Sequence, residues 1–267
     1  MRLFTLLFIT MQLVPAFSQK SKEPLVVSGT VLLNNKDALN ASVLVAALKT
    51  DWKVKADSLN VADKTIVFNT PTASVMIAQL DYVADPIEIR AASRLSWLWP
   101  TAETEALKHQ SQVVISVIGA DDKSLELHTL FTKIAAVILE KNNASGVYMN
   151  SQYLLVSKGF YTSAAHNMLE NQSLPLYCWV YFGRPGDGGA YTYGMSEFGV
   201  KEMEIAKSLK PEPDVHSTLY DAAYAVLKYN NRLADGQSVI TEEGQKIPVK
   251  LVRSVFLEAT DVVRLEY

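Results

Sequence analysis

Cysteine is nearly missing from this chain, which has one, Cys178, in 267 residues. No disulfide can form within the molecule, so its stability has to come from a packed core rather than from cross-links. Flanked by Tyr177 and Trp179 in an apolar run, the thiol reads as a buried inert group and not as a nucleophile. Histidine is scarce as well: His109, His128, His166 and His216 fall on different predicted elements. Without HExxH, CxxC or a calcium-loop spacing, no metal site is expected. An excess of positive charge is also lacking, since 25 Lys and Arg face 28 Asp and Glu, for a net charge of -3 and a pI near 5.9. That balance provides no broad field for a phosphate backbone, which excludes nucleic acid from the expected partners. There is no Gly-x-Ser-x-Gly elbow, no dinucleotide fingerprint and no P-loop, so neither an activated serine nor a cofactor is expected.

What is present is a hydrophobic content of 49%, the composition of a globular protein with a sizeable core. The first residues set an expectation about compartment. Arg2 supplies a positive start, Leu3 to Val14 form a mostly apolar stretch, and Ala16-Phe17-Ser18 places small residues where a signal peptidase reads. The stretch is too short, and too interrupted by Thr10, Gln12 and Pro15, to span a bilayer comfortably. The expectation is a signal peptide over residues 1–18, cleavage near Ser18, and an extracytoplasmic mature chain, periplasmic or secreted, with no transmembrane segment. Asn-x-Ser sequons at Asn40, Asn143 and Asn171 matter only if the export pathway is eukaryotic.

Hydrophobic periodicity predicts an α+β fold. Leu25 to Leu33 reads as a strand, Ala38 to Leu48 as a helix, and Thr65 to Phe68 and Ser74 to Leu80 as a hairpin around Asn69-Thr70-Pro71-Thr72. Trp52 to Ala62 is ambiguous. Asp85-Pro86-Ile87-Glu88 combines a capping acid, a proline at the first helical position and a glutamate at the third, which predicts a helix from there to near Trp99. A short helix follows over Ala102 to Lys108, then an unbroken apolar strand over Val113 to Ile118. The order strand, helix, strand, strand, helix, strand from Leu25 to Ile118 is that of a ferredoxin-like βαββαβ unit.

The second half mixes helices at Leu125 to Glu140, Ser163 to Leu169, Lys201 to Ser208 and Leu219 to Leu227 with short strands. Two arrangements fit it: a duplicate of the ferredoxin-like unit, or one larger sheet with helices on one side. No Pro/Gly/Ser-rich linker divides residues 19–267, so the expectation is one α+β domain or two fused halves of about 25–120 and 121–267.

Candidate chemistry concentrates around Leu176 to Ile205, where an apolar aromatic run, read as a strand from Leu176, meets Arg184-Pro185-Gly186-Asp187-Gly188-Gly189 and then a second strand with Tyr191-Thr192-Tyr193. The glycines have no phosphate-binding spacing and read as a mobile hairpin loop with positive φ. Arg184 beside them is suited to gripping a carboxylate or phosphate. Glu202 and Glu204, like Glu103 and Glu105, are two residues apart and so do not share a face of the predicted helices; they read as solvated helix surface. His109 sits where a helix ends and a buried strand begins. The partial charge of the helix terminus would favour its protonated form, and capping of that terminus is the structural alternative.

Several segments, taken in order, resemble domain-of-unknown-function family 4261, a bacterial family. They are Asp85-Pro86-Ile87, Trp99-Pro100 with Ala102-Glu103, His109, Gly146-Val147-Tyr148, Leu174-Pro175 with Trp179, and above all Tyr191-Thr192-Tyr193-Gly194-Met195 with Phe198-Gly199 and Glu202-x-Glu204. The resemblance spans roughly Val31 to Val252. It departs from the pattern in the export signal and at Met149, where a tryptophan is expected. It implies no established activity. The expected function is therefore an exported binding or protein-interaction module for an unknown protein or small-molecule ligand. The alternative is a hydrolase-type enzyme built from His109, Arg184, Tyr193, Glu202 and Glu204. The candidate functional surface is His109, Arg184, Tyr191, Tyr193, Glu202 and Glu204.

Overall fold

A computed structural model describes residues 24–241 and 244–267. The expected signal peptide, and Glu242 and Glu243, lie outside the described residues. In chain order the first part runs β1 (Leu25–Leu33), α1 (Ala41–Thr50), β2 (Asp57–Ala62), β3 (Thr65–Asn69), β4 (Ala73–Leu80), α2 (Pro86–Leu95), α3 (Ala102–Ala106), β5 (Ser111–Gly119), α4 (Ser124–Lys141), β6 (Ala144–Met149), β7 (Leu154–Ser157) and α5 (Lys158–Asn171). The second part runs β8 (Tyr181–Gly186), β9 (Gly189–Tyr193), β10 (Met203–Ile205), α6 (Glu212–Lys228), β11 (Ser238–Ile240), β12 (Lys246–Arg253) and β13 (Asp261–Leu265).

The strands form two sheets. The first, ordered β2-β3-β4-β5-β1-β6-β7, is antiparallel throughout. Alternation along its strands decides which face each residue joins. Val27, Val31 and Leu33 of β1, with Val147 and Met149 of β6, point into the main core, while Leu32 and Tyr148 point the other way into a small cluster with Ile89, Trp99 and Ala106. α2 and α3 cover only that end of the outer face. Val26, Val67, Met76 and Ile118 on the same face are exposed.

The strand order corrects the ferredoxin-like reading. In such a unit the first strand lies between the third and the fourth, whereas here β5 lies between β4 and β1 and pairs with both. Helix and strand order in the sequence are nearly as expected; what differs is a long-range pairing that periodicity does not encode. The second sheet, ordered β11-β12-β13-β10-β9-β8, has one parallel pair, β10 with β13, and one helix, α6, on its face. It does not repeat the first.

α4 is the centre of the molecule. Leu127, Phe131, Ile134, Ala135, Val137, Ile138 and Leu139 are all fully buried, facing the first sheet on one side and the Trp179 segment on the other. The Thr132 hydroxyl accepts a hydrogen bond from the Trp179 indole at 2.8 Å, and the apolar cluster around α4 includes residues of both sheets. No described helix is long and apolar enough to cross a membrane.

Two local expectations fail for one physical reason. The apolar run from Leu176 begins not as a strand but as a 3-10 turn over Leu176–Cys178, and Lys201 to Ser208 contains strand β10, not a helix. A run buried on every side carries no period by which strand and helix can be told apart. α2 also stops at Leu95, four residues early, because tight turns at Ser96, Trp97 and Trp99 send the two indoles to different partners.

Candidate functional site

The two glutamates expected on a solvated helix face are both buried. Glu202 lies just before β10 and accepts hydrogen bonds from the Thr192 hydroxyl (2.8 Å) and from the amides of Gly194 (2.9 Å), Met195 (3.2 Å) and Ser196 (3.0 Å). The carboxylate therefore closes the turn that leaves β9. Glu204, fully buried, receives the Arg264 guanidinium through Nε (2.8 Å) and Nη2 (2.6 Å), and the Ser254 hydroxyl at 2.6 Å. It ties β10 to β13 and to the loop before it. Both carboxylates are saturated with donors, the condition under which a buried charge is tolerated. Beside them, Glu197 has its carboxyl pushed up, first by burial and then by the charge of Glu202.

His109 is buried at the far end of the first sheet. The Ala84 amide donates to Nε2 (2.8 Å) and Nδ1–H donates to the Ala106 carbonyl (2.6 Å), so both nitrogens are used by the neutral ring. Burial lowers its proton affinity, and the Ala106 carbonyl offsets this only in part. The protonated form expected from the helix terminus is thus disfavoured, while the ring does cap the end of α3 through Ala106.

Arg184 pairs with Glu212 at the start of α6 and stacks over the Trp97 ring, 5.0 Å from its centroid. Trp97 in turn donates to the Phe182 carbonyl (3.1 Å). Tyr191 stands opposite Glu204 in the β9–β10 register and stacks on Phe256 at 5.3 Å. Its ring lies over Gly183, where a Cβ would come within 2.2 Å of it. Tyr193 is exposed on β9. The structure thus brings Tyr191, Tyr193, Glu202 and Glu204 onto adjacent strands, with Arg184 on β8 nearby, while the hydrogen-bond partners of His109 belong to the first sheet's outer layer.

The concavity over the second sheet is elsewhere. A cleft of about 790 Å³ lies between the outer face of α6 and the β11–β12 hairpin, with Tyr267 at its edge. Helical spacing places Asp214, Thr218, Asp221 and Ala225 on the cleft side, while Val215, Leu219, Ala223 and Val226 face the core. From the hairpin come Val239 and Thr241, and from the remaining wall Tyr220, Tyr224, Tyr229 and Lys210. Lys210 sits over the Tyr267 ring at 5.7 Å. Tyr220 anchors the wall by stacking on Tyr177 (4.7 Å) and Tyr224 (6.2 Å), and its phenol is pushed up to about 12, first by burial and then by neighbouring Tyr224 and Asp221. His216, on the core side of the same helix, has its proton affinity lowered, first by burial and then by Arg184, with Glu212 opposing both. None of the six residues singled out from the sequence lines this cleft. Its signal was present in the sequence as the second, polar face of an amphipathic helix, which is the ordinary appearance of any surface helix.

Among the described residues, fold and cleft together define a mixed α+β protein of two sheets and six helices with a tyrosine-lined cleft beside the second sheet. Residues 191–266 match the model of the family described as Domain of unknown function (DUF4261). The matched stretch begins at Tyr191, where the resemblance in the sequence is strongest, and is shorter than the Val31 to Val252 span of that resemblance. No curated protein and no solved structure matches the chain significantly.

Proposed function

We propose that this protein is an exported binding module whose ligand or partner sits in the cleft between α6 and the β11–β12 hairpin. The observation that carries the reading is that every residue lining the cleft except Tyr267 falls within the stretch matched by the family, 191–266. Tyrosines offer broad, stiff contact surface at small entropic cost, and the interspersed Asp, Ser, Thr and Gln groups supply directional hydrogen bonds, the composition of a recognition cleft. The hydrolase alternative needs Glu202 or Glu204 as an acid or base at a cleft, and both are buried against protein donors. Arg184 is held to Glu212 at the start of α6 and over Trp97, while Tyr191 and Tyr193 share the face of β9 that carries the Tyr191–Phe256 stack.

Export rests on the charged, apolar and small-residue pattern of Met1 to Ser18. Mass spectrometry of the mature N-terminus tests it: loss of those residues is expected, and their retention would refute export. Binding is tested by affinity capture from the producing cell's envelope and medium with the native chain and with Ala225→Trp, which fills the cleft. Enrichment by the native chain that is lost in the folded variant is expected. Equal enrichment by both, or none by either, would contradict the cleft.

A further inference from the structure

A second cavity, of about 150 Å³, lies on the opposite side of α6, where the parallel strands β10 and β13 begin. Its walls are apolar: Met203 and Val263 from the two strands, Val226 from the last turns of α6, and Val200 and Leu233 from the segments that close over them. Met203, Val226 and Val263 are buried. At its mouth stand two exposed cations, Lys201 and Arg232, with the Arg232 guanidinium resting near the bare backbone of Gly199. Among the described residues neither cation has an ion-pair or hydrogen-bond partner, although Arg184, Arg253 and Arg264 are each paired with a carboxylate. An apolar interior with a doubly cationic rim matches a ligand with an apolar body and one anionic end.

We infer that this cavity binds a small monocarboxylate. An apolar cavity of this volume holds a body about the size of benzene, or about four to five aliphatic carbons. The planar fork of Arg232 suits a carboxylate bidentately and Lys201 adds a point charge, while the five apolar side chains exclude water from the tail. Inorganic phosphate has the charge but nothing to place between Met203 and Val263. The inference is independent of the tyrosine-lined cleft, which uses the other face of α6.

The experiment is a titration of the full chain, labelled at its methionine methyl groups, with valerate, benzoate, butylamine and inorganic phosphate. Saturable shifts of the Met203 methyl signal are expected with valerate and benzoate and not with butylamine or phosphate. Arg232→Gln and Lys201→Gln, exposed positions whose change leaves the core intact, are each expected to weaken valerate binding roughly tenfold, as loss of a charged hydrogen bond does. Unsaturable shifts, equal response to phosphate, or affinity unchanged in both variants would overturn the carboxylate site.

Discussion

Glu202 and Glu204 stand two residues apart and both are withdrawn from water, each with a separate set of donors. Replacing Glu204 by Gln leaves Arg264 half-paired and largely out of solvent, and denaturant unfolding is expected to register a loss of about 3–5 kcal/mol. Glu202→Gln turns an amide NH2 toward amides that already donate, with a loss of about 2–3 kcal/mol. His128 adds a pH dependence. Its ring is buried between Trp179 and Phe198, its Nε2 has no hydrogen-bond partner, and burial lowers its value from 6.5 to about 4. The folded chain therefore resists a proton that the unfolded chain accepts. Its contribution is whole above about pH 6.5 and is lost as pH falls toward about 4, on the order of 3 kcal/mol. Unfolding of the native chain and of His128→Leu at pH 7 and pH 4.5 checks this: the variant is expected to lose less stability on acidification. At this scale the sequence was least informative, since burial of a glutamate depends on donors brought by other strands. The inert Cys178 was legible because its immediate neighbours were themselves apolar, and burial indeed raises its thiol.

Elements with local chemistry were readable. Asp85 caps α2 by accepting from the Ile87 amide at 2.8 Å, as its place before Pro86 predicts, although Glu88 turns to the Tyr148 hydroxyl instead of reaching back. The glycine hairpin between β8 and β9 was half legible. Positive φ at Gly186 and Gly188 is present, but the loop expected to be mobile is packed: a Cβ on Gly188 would stand 2.0 Å from the Ser208 carbonyl oxygen. Gly188→Ala is therefore expected to lower stability by more than about 1 kcal/mol, combining a strained φ with a backbone clash, measured by thermal unfolding. β10 escaped because three buried residues offer no alternation to read, and the acidic pattern around them imitates a helix surface.

For the molecule as a whole, class was legible and topology was not. Strand and helix order gave α+β, but the place of β5 between β4 and β1, and the parallel pairing of β10 with β13, arise from contacts between residues far apart in sequence. The functional reading likewise depends on assembly, because the cleft exists only once α6 lies beside a hairpin and the chain's last residue. Its most direct measurement is hydrogen–deuterium exchange on the native chain with and without the material it captures. Added protection is expected in α6 around Asp214 to Ala225 and in β11. Protection confined to β8 and β9 around Arg184 and Tyr193, with α6 and β11 unchanged, would contradict it.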